Sequence, residues 1–148
     1  MKILQEVKAS LPSLAFPYDD YPFSAVTFNL GPDACTKPHK DSWDLTWGWC
    51  AVTSLGNFDH TKGGHLVLWD LGMVVEFPPH STILFPSTII THSNTAIQDG
   101  EWRSSVTQYN VAGLFRWVAY GHSLNREGPS GTDWWDNFNH MFSTSRPR

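Results

Sequence analysis

The strongest restriction on the fold is a rhythm of short β-prone runs broken by turn residues. Residues 25–30 end at Gly31-Pro32-Asp33, and residues 49–55 end at Gly56-Asn57. Gly63-Gly64 leads into residues 65–69, Asp70-Leu71-Gly72 into residues 73–77, and Pro78-Pro79 into residues 81–85. Residues 88–91, 104–109 and 113–118 continue the series. Strand-sized runs at a spacing of about 8–12 residues predict a sandwich, jelly roll or barrel. Before the series, Ile3, Leu4, Val7 and Leu11 recur at helical spacing. They predict a short amphipathic helix within residues 1–14, stopped by Pro12. Residues 15–23, with Pro17, Pro22 and Asp19-Asp20, read as an irregular connection.

With 148 residues, the chain fits one domain. Its core is expected over about residues 24–121, with residues 122–148 as a peripheral tail. In that tail Trp134-Trp135-Asp136-Asn137-Phe138 reads as a docking helix or a partner-binding segment. Ten Lys plus Arg against fourteen Asp plus Glu leave a net charge of −4, so no broad basic surface for nucleic acid is evident. Eight Trp and nine Phe are many for a chain that is only 41% hydrophobic, and the surplus aromatics suit a pocket wall. No apolar run approaches the roughly 18 residues of a membrane span, and no signal-peptide core is present. Cys35 and Cys50 make no disulfide framework and read as reduced, mostly structural thiols. Together these favour an intracellular setting, nuclear or cytoplasmic, and no membrane partner.

Chemistry concentrates between Pro38 and Ser105. His39-Lys40-Asp41 places a His and a carboxylate two residues apart, which on a strand puts both on one face. With a distant third ligand, His92, they can close one face of an octahedral Fe(II) ion, leaving the other open. Among seven His, a lone His-x-Asp is a weak signal. His65, at the head of a strand, and His80, after Pro78-Pro79, are rival ligands that read more simply as structural or surface groups. His60, His122 and His140, in loops or near the end, have the same plain reading. What strengthens the triad is Arg103-x-Ser105, eleven residues beyond His92. A guanidinium grips a carboxylate with two prongs, and a nearby hydroxyl adds a donor. Trp43, Trp47 and Trp49 follow the His-x-Asp closely and read as pocket walls, with core packing an equal reading for Trp49.

A longer string carries a resemblance. It runs through Phe28-Asn29-x-Gly31-Pro32, Cys35-x-x-Pro38-His39-Lys40-Asp41, Gly48 to Thr53, and Lys62-Gly63-Gly64 to Leu71. It continues through Pro78-Pro79, Phe85, His92-Ser93-Asn94, Gly100-x-x-Arg103-x-Ser105, Thr107-Gln108-Tyr109 and Gly113 to Arg116. Over about residues 26–121 the chain resembles Fe(II)/2-oxoglutarate dioxygenases, in particular fungal TET/JBP-type domains. The resemblance implies a mainly β, double-stranded β-helix (jelly roll, cupin-like) with a short N-terminal helix outside it. It implies His39, Asp41 and His92 as catalytic iron ligands, Arg103 and Ser105 on the distal carboxylate of 2-oxoglutarate, and Asn29 as a further cosubstrate contact. His80 stands in a turn where many such enzymes carry Gly.

The implied cofactors are Fe(II) and 2-oxoglutarate, with ascorbate as a supporting reductant and O2 as co-reactant. The implied reaction is hydroxylation of a C–H bond, and a carboxylate ligand at Asp41 favours that outcome over halide transfer. The expected substrate is 5-methylcytosine or a related base in DNA or RNA, stacked on the Trp43–Trp49 cluster after flipping. A small molecule or a protein side chain is the alternative. Two further classes stay open: a cupin-like metalloenzyme without 2-oxoglutarate, disfavoured by Arg103-x-Ser105, and a binding module that keeps only the fold.

Overall fold

The computed structural model describes residues 2–13 and 21–123. Two compact units divide the chain, Phe23–Asn110 on one hand and Met1–Pro22 with Val111–Arg148 on the other. In the larger unit the described strands are β1 (Ala25–Asn29), β2 (Cys50–Asn57), β3 (Leu66–Leu68), β4 (Met73–Val75), β5 (Thr82–Phe85), β6 (His92–Asn94) and β7 (Trp102–Tyr109). They form two antiparallel sheets, one ordered β1-β7-β2-β5 and the other β4-β3-β6. The mainly β expectation is met.

The core explains why the two sheets hold together. Cys50 and Phe85 come from the first sheet, Leu66 and Leu68 from the second, and Phe77 from the connection between β4 and β5. Val52, Val75, Ile83, Ile90 and Tyr109 pack around them. Each large apolar side chain buried in this way contributes about 1.5–3 kcal/mol. Burial pushes the Cys50 thiol up to about 11, so it packs as a small apolar group. Cys35, by contrast, is exposed and donates its S–H to the Asn94 carbonyl at 3.1 Å.

Inner and outer faces follow from strand alternation. On β7, Ser105, Thr107 and Tyr109 face the interior, while on β2 Val52 pairs with Thr107 and Ser54 with Ser105. The outer face of β2 carries Thr53, whose hydroxyl meets that of Thr82 at 2.8 Å. Gly63-Gly64 is dictated by close packing. A Cβ on Gly63 would lie 2.4 Å from the Ala96 carbonyl oxygen, and one on Gly64 would lie 2.5 Å from the Phe58 ring. Gly64 also has a φ of 70°, which suits glycine.

Three local expectations need correction. Residues 113–118 are not a strand; they belong to helix α2 (Ala112–Ala119) in the smaller unit, which packs with α1 (Lys2–Ser10). Val118 and Ala119 are buried in α2, as Leu4 and Val7 are in α1. Residues 88–91 are also not a strand, because Ile89 and Ile90 both donate their backbone N–H to the Pro86 carbonyl and close a turn. The strand begins one residue later, at His92. Third, Trp49 precedes β2 and is 57% exposed, so core packing does not account for it. His80 adopts a φ of 66°, the left-handed conformation that a Gly would take in that turn. The Trp134–Phe138 stretch and His140 lie outside the described residues.

Candidate metal and cosubstrate site

His39 does not sit in a strand. It forms an isolated antiparallel bridge with His92, exchanging two backbone hydrogen bonds of 3.0 Å each. Asp41 is fixed separately, its backbone N–H donating to the Ser87 carbonyl at 3.1 Å. The side chains of His39, Asp41 and His92 converge, with one ligand atom from each lying within 4.8 Å of the others. His39 Nε2 is 3.4 Å from Asp41 Oδ1, and His92 Nε2 is 3.8 Å from Asp41 Oδ2. Among the described residues this is the one His/Cys/Asp/Glu cluster with such geometry.

The hydrogen bonds behind the two imidazoles fit a metal. His39 Nδ1 lies 2.8 Å from the Lys37 carbonyl and His92 Nδ1 3.0 Å from the Ile90 carbonyl. A carbonyl accepts only, so each Nδ1 carries the proton and each Nε2 keeps its lone pair free toward Asp41. His92 is buried, and that burial, helped by repulsion from His39, lowers its pKa despite the opposing pull of the Ile90 carbonyl and Asp41. The shift favours the neutral imidazole, the form that a ligand needs. The rings of His39 and His92 are 4.3 Å apart, and Phe85 presents its edge to His92 at 4.9 Å. The rival ligands do not join this cluster. His65 Nδ1 is 3.2 Å from the Thr95 hydroxyl, and His80 stands outside the cluster in the turn before β5, its backbone N–H donating to the Ser54 carbonyl at 2.7 Å.

A cavity of about 410 Å3 opens on the triad. Asn29, Ser105, Thr107 and Tyr109 line it, as do Trp43 and Asp44. Asn29 donates to the Ser105 hydroxyl at 3.1 Å across the β1–β7 pair. Trp43 is 81% exposed at this opening, whereas Trp47 and Trp49 do not belong to the lining.

Arg103 is placed differently from its expected partners. It sits two residues from Ser105 on the same face of β7, but it is only 2% exposed and is not among the residues that line the cavity. Its Nη1 donates to the Ala34 carbonyl, and its guanidinium lies 5.8 Å from the centre of the Phe77 ring. Nε and Nη2 are buried without a hydrogen-bond partner, and no carboxylate of the described residues pairs with the charge. Burial accordingly lowers its pKa from the ordinary value. A buried cation with two free N–H groups is costly unless an anion meets it.

Asp44 is the cavity residue that the sequence reading missed. Burial, then repulsion from Asp41, raises its carboxyl to about 6, and a hydrogen bond from Ser87 opposes the rise. The signal was its place three residues after Asp41.

No protein-family model matches the chain, and no curated protein does. Among solved structures it is similar to NgTET1 in complex with 5mC DNA, at 26% identity and a TM-score of 0.55. That match covers 70% of this chain and 40% of NgTET1. A second match is the 2-oxoglutarate complex of a viral collagen prolyl hydroxylase from Paramecium Bursaria Chlorella virus-1, at 17% identity and a TM-score of 0.44. It covers 72% of this chain and 68% of that one. The fold is thus the double-stranded β-helix of Fe(II)/2-oxoglutarate oxygenases. Among such oxygenases the chain resembles TET-like NgTET1, of whose length it spans 40%.

Proposed function

We propose that this chain is an Fe(II)- and 2-oxoglutarate-dependent dioxygenase that hydroxylates a C–H bond of 5-methylcytosine or a related base. The observation that carries the reading is the pairing of opposite needs in one fold. Three side chains offer lone pairs to a cation, and a buried guanidinium nearby offers unmet donors to an anion. His39, Asp41 and His92 would hold Fe(II), and Arg103 with Ser105 the distal carboxylate of 2-oxoglutarate. Fe(II) held there would supply the activation of O2, in an overall reaction that converts R–H, O2 and 2-oxoglutarate into R–OH, succinate and CO2.

The chain's own residues have separable tasks. The Lys37 and Ile90 carbonyls keep the two imidazoles in the ligating tautomer. Arg103 fixes the far end of the cosubstrate, which orients its 2-oxo acid end toward the triad. Phe85 closes the apolar side of His92. Trp43 offers a flat face to an extruded base, and Asp44, poised near 6, accepts from or donates to the edge of that base.

The likeness to NgTET1, solved with 5mC DNA, supports a base as substrate. The acidic balance of the chain sets the terms. With ten basic against fourteen acidic residues, little affinity comes from phosphate contacts. DNA binding by this chain alone is therefore weak, and oxidation is best on single-stranded or tethered substrate, where flipping costs least. The test is nucleoside mass spectrometry after incubating methylated oligonucleotides with protein, Fe(II), 2-oxoglutarate and ascorbate. Hydroxymethylcytosine is the expected product. Succinate formed with a small molecule, and none of that product from any oligonucleotide, would move the assignment to small-molecule oxidation.

A further inference from the structure

We infer that Ser54, on β2, is a further donor to the anion that Arg103 and Ser105 hold. Ser54 is fully buried, and its hydroxyl has no hydrogen-bond partner. A buried hydroxyl left unpaired costs stability, so a vacant donor at this depth calls for an explanation. Of the four buried side-chain atoms without a partner among the described residues, Ser54 Oγ and two Arg103 nitrogens make three.

The sheet register brings these three atoms to one place. Ser54 pairs directly with Ser105, and Gly56 pairs directly with Arg103. Directly paired residues point to the same face of a sheet, and diagonal neighbours are within reach of a long side chain. Ser54 is therefore the direct neighbour of Ser105 and the diagonal neighbour of Arg103. Asn29 pairs with Ser105 from the opposite side, so one lane across the sheet reads Asn29, Ser105, Ser54. Two of those three line the cavity, and Ser54 stands next in the row. Gly56, opposite Arg103, is held to glycine by the backbone beside it, since a Cβ there would lie 2.3 Å from the Trp102 carbonyl oxygen.

The chemistry is that of a carboxylate. One oxygen pair has about four lone-pair directions. The free Nε and Nη2 of Arg103 supply a two-pronged grip, and the hydroxyls of Ser105 and Ser54 supply two donors more. The serine is also small, which leaves room for the ligand that a Thr or Val would fill. Its role rests on the reading of Arg103 as the anchor for 2-oxoglutarate.

The test uses the whole chain loaded with Mn(II), which supports binding without oxygen chemistry, and titrates 2-oxoglutarate calorimetrically. In Ser54→Ala the affinity for 2-oxoglutarate falls roughly tenfold, the worth of a hydrogen bond to a charged group. Mn(II) affinity is unchanged, and the melting temperature of the ligand-free protein stays level or rises, because an orphaned hydroxyl has been removed. Ser54→Cys, which keeps the volume with a weaker donor, falls between. A 2-oxoglutarate affinity in Ser54→Ala within about twofold of wild type would overturn the inference. So would an equal loss of Mn(II) affinity, which marks general distortion. Failure of the wild-type protein to bind 2-oxoglutarate would instead remove the anchor reading itself, and this inference with it.

Discussion

The triad and the Arg103 region are built on opposite principles. At the triad each side chain is already supported from behind, His39 by Lys37 and His92 by Ile90, with the lone pairs left facing inward. At Arg103 the support is incomplete: one nitrogen is satisfied by Ala34, and two face nothing. The triad also grades from exposed His39 to buried His92, whereas Arg103 is among the most buried side chains of the described residues. The difference teaches what each end awaits. A satisfied, lone-pair-rich cluster is ready for a cation at little further cost. A buried, donor-rich cation stores a penalty that only an anion relieves.

Breaking the cation end has the largest expected effect. Asp41→Ala or His39→Ala should abolish stoichiometric Fe(II) binding, measured anaerobically by equilibrium dialysis. Unchanged retention in both variants would make His65, against its present bond to Thr95, or His80 the better candidate. Breaking the anion end comes next. Arg103→Lys keeps the charge but loses the planar fork, so 2-oxoglutarate affinity should fall by about 30-fold with little change in folding. Equal affinity in the two proteins would count against the anchor.

The residues of both clusters stood out in the sequence, though not for the same reasons. Alternation and turn residues were enough to mark most strands, because a half-buried strand leaves a period-two record. His39 and Asp41 were expected on one strand face, yet they converge through an isolated bridge to His92 and a separate bond to Ser87. Their spacing was informative and the stated geometry was not. Residues 113–118 misled because Leu114, Phe115, Trp117 and Val118 are β-prone types in a short apolar run, and such a run also fits a helix. The burial of Arg103 had no local signal, since it depends on β2 and on the segment around Ala34, both distant in sequence.

A smaller effect separates the tryptophans. Trp43→Ala should weaken binding of a methylated single strand by about 1–3 kcal/mol, the worth of one stacked base, with no loss of thermal stability. Trp47→Ala and Trp49→Ala, outside the cavity lining, should leave that affinity within error. A larger loss from either would move the substrate surface away from the triad.

The smallest expected effect concerns Asp44. Its carboxyl is raised from 3.8 to about 6, so the folded state holds a proton that the unfolded chain has released. The Asp44 contribution to the stability of the metal-free protein therefore falls as pH rises from about 4 to about 6. Asp44→Asn should flatten that part of the curve by under about 1 kcal/mol, because the group is only half-buried. Urea denaturation at pH 4 and pH 7 reads the difference.

The most direct measurement compares 2-oxoglutarate binding to the metal-free and the Fe(II)-loaded protein under anaerobic conditions, followed by admission of O2 with a methylated single strand and ascorbate present and assay of succinate. The account predicts one equivalent of 2-oxoglutarate bound tightly only when Fe(II) is present, because both ends of the molecule must be engaged. Succinate should then appear. Binding that ignores the metal, or no succinate from a protein that holds both ligands, would contradict it.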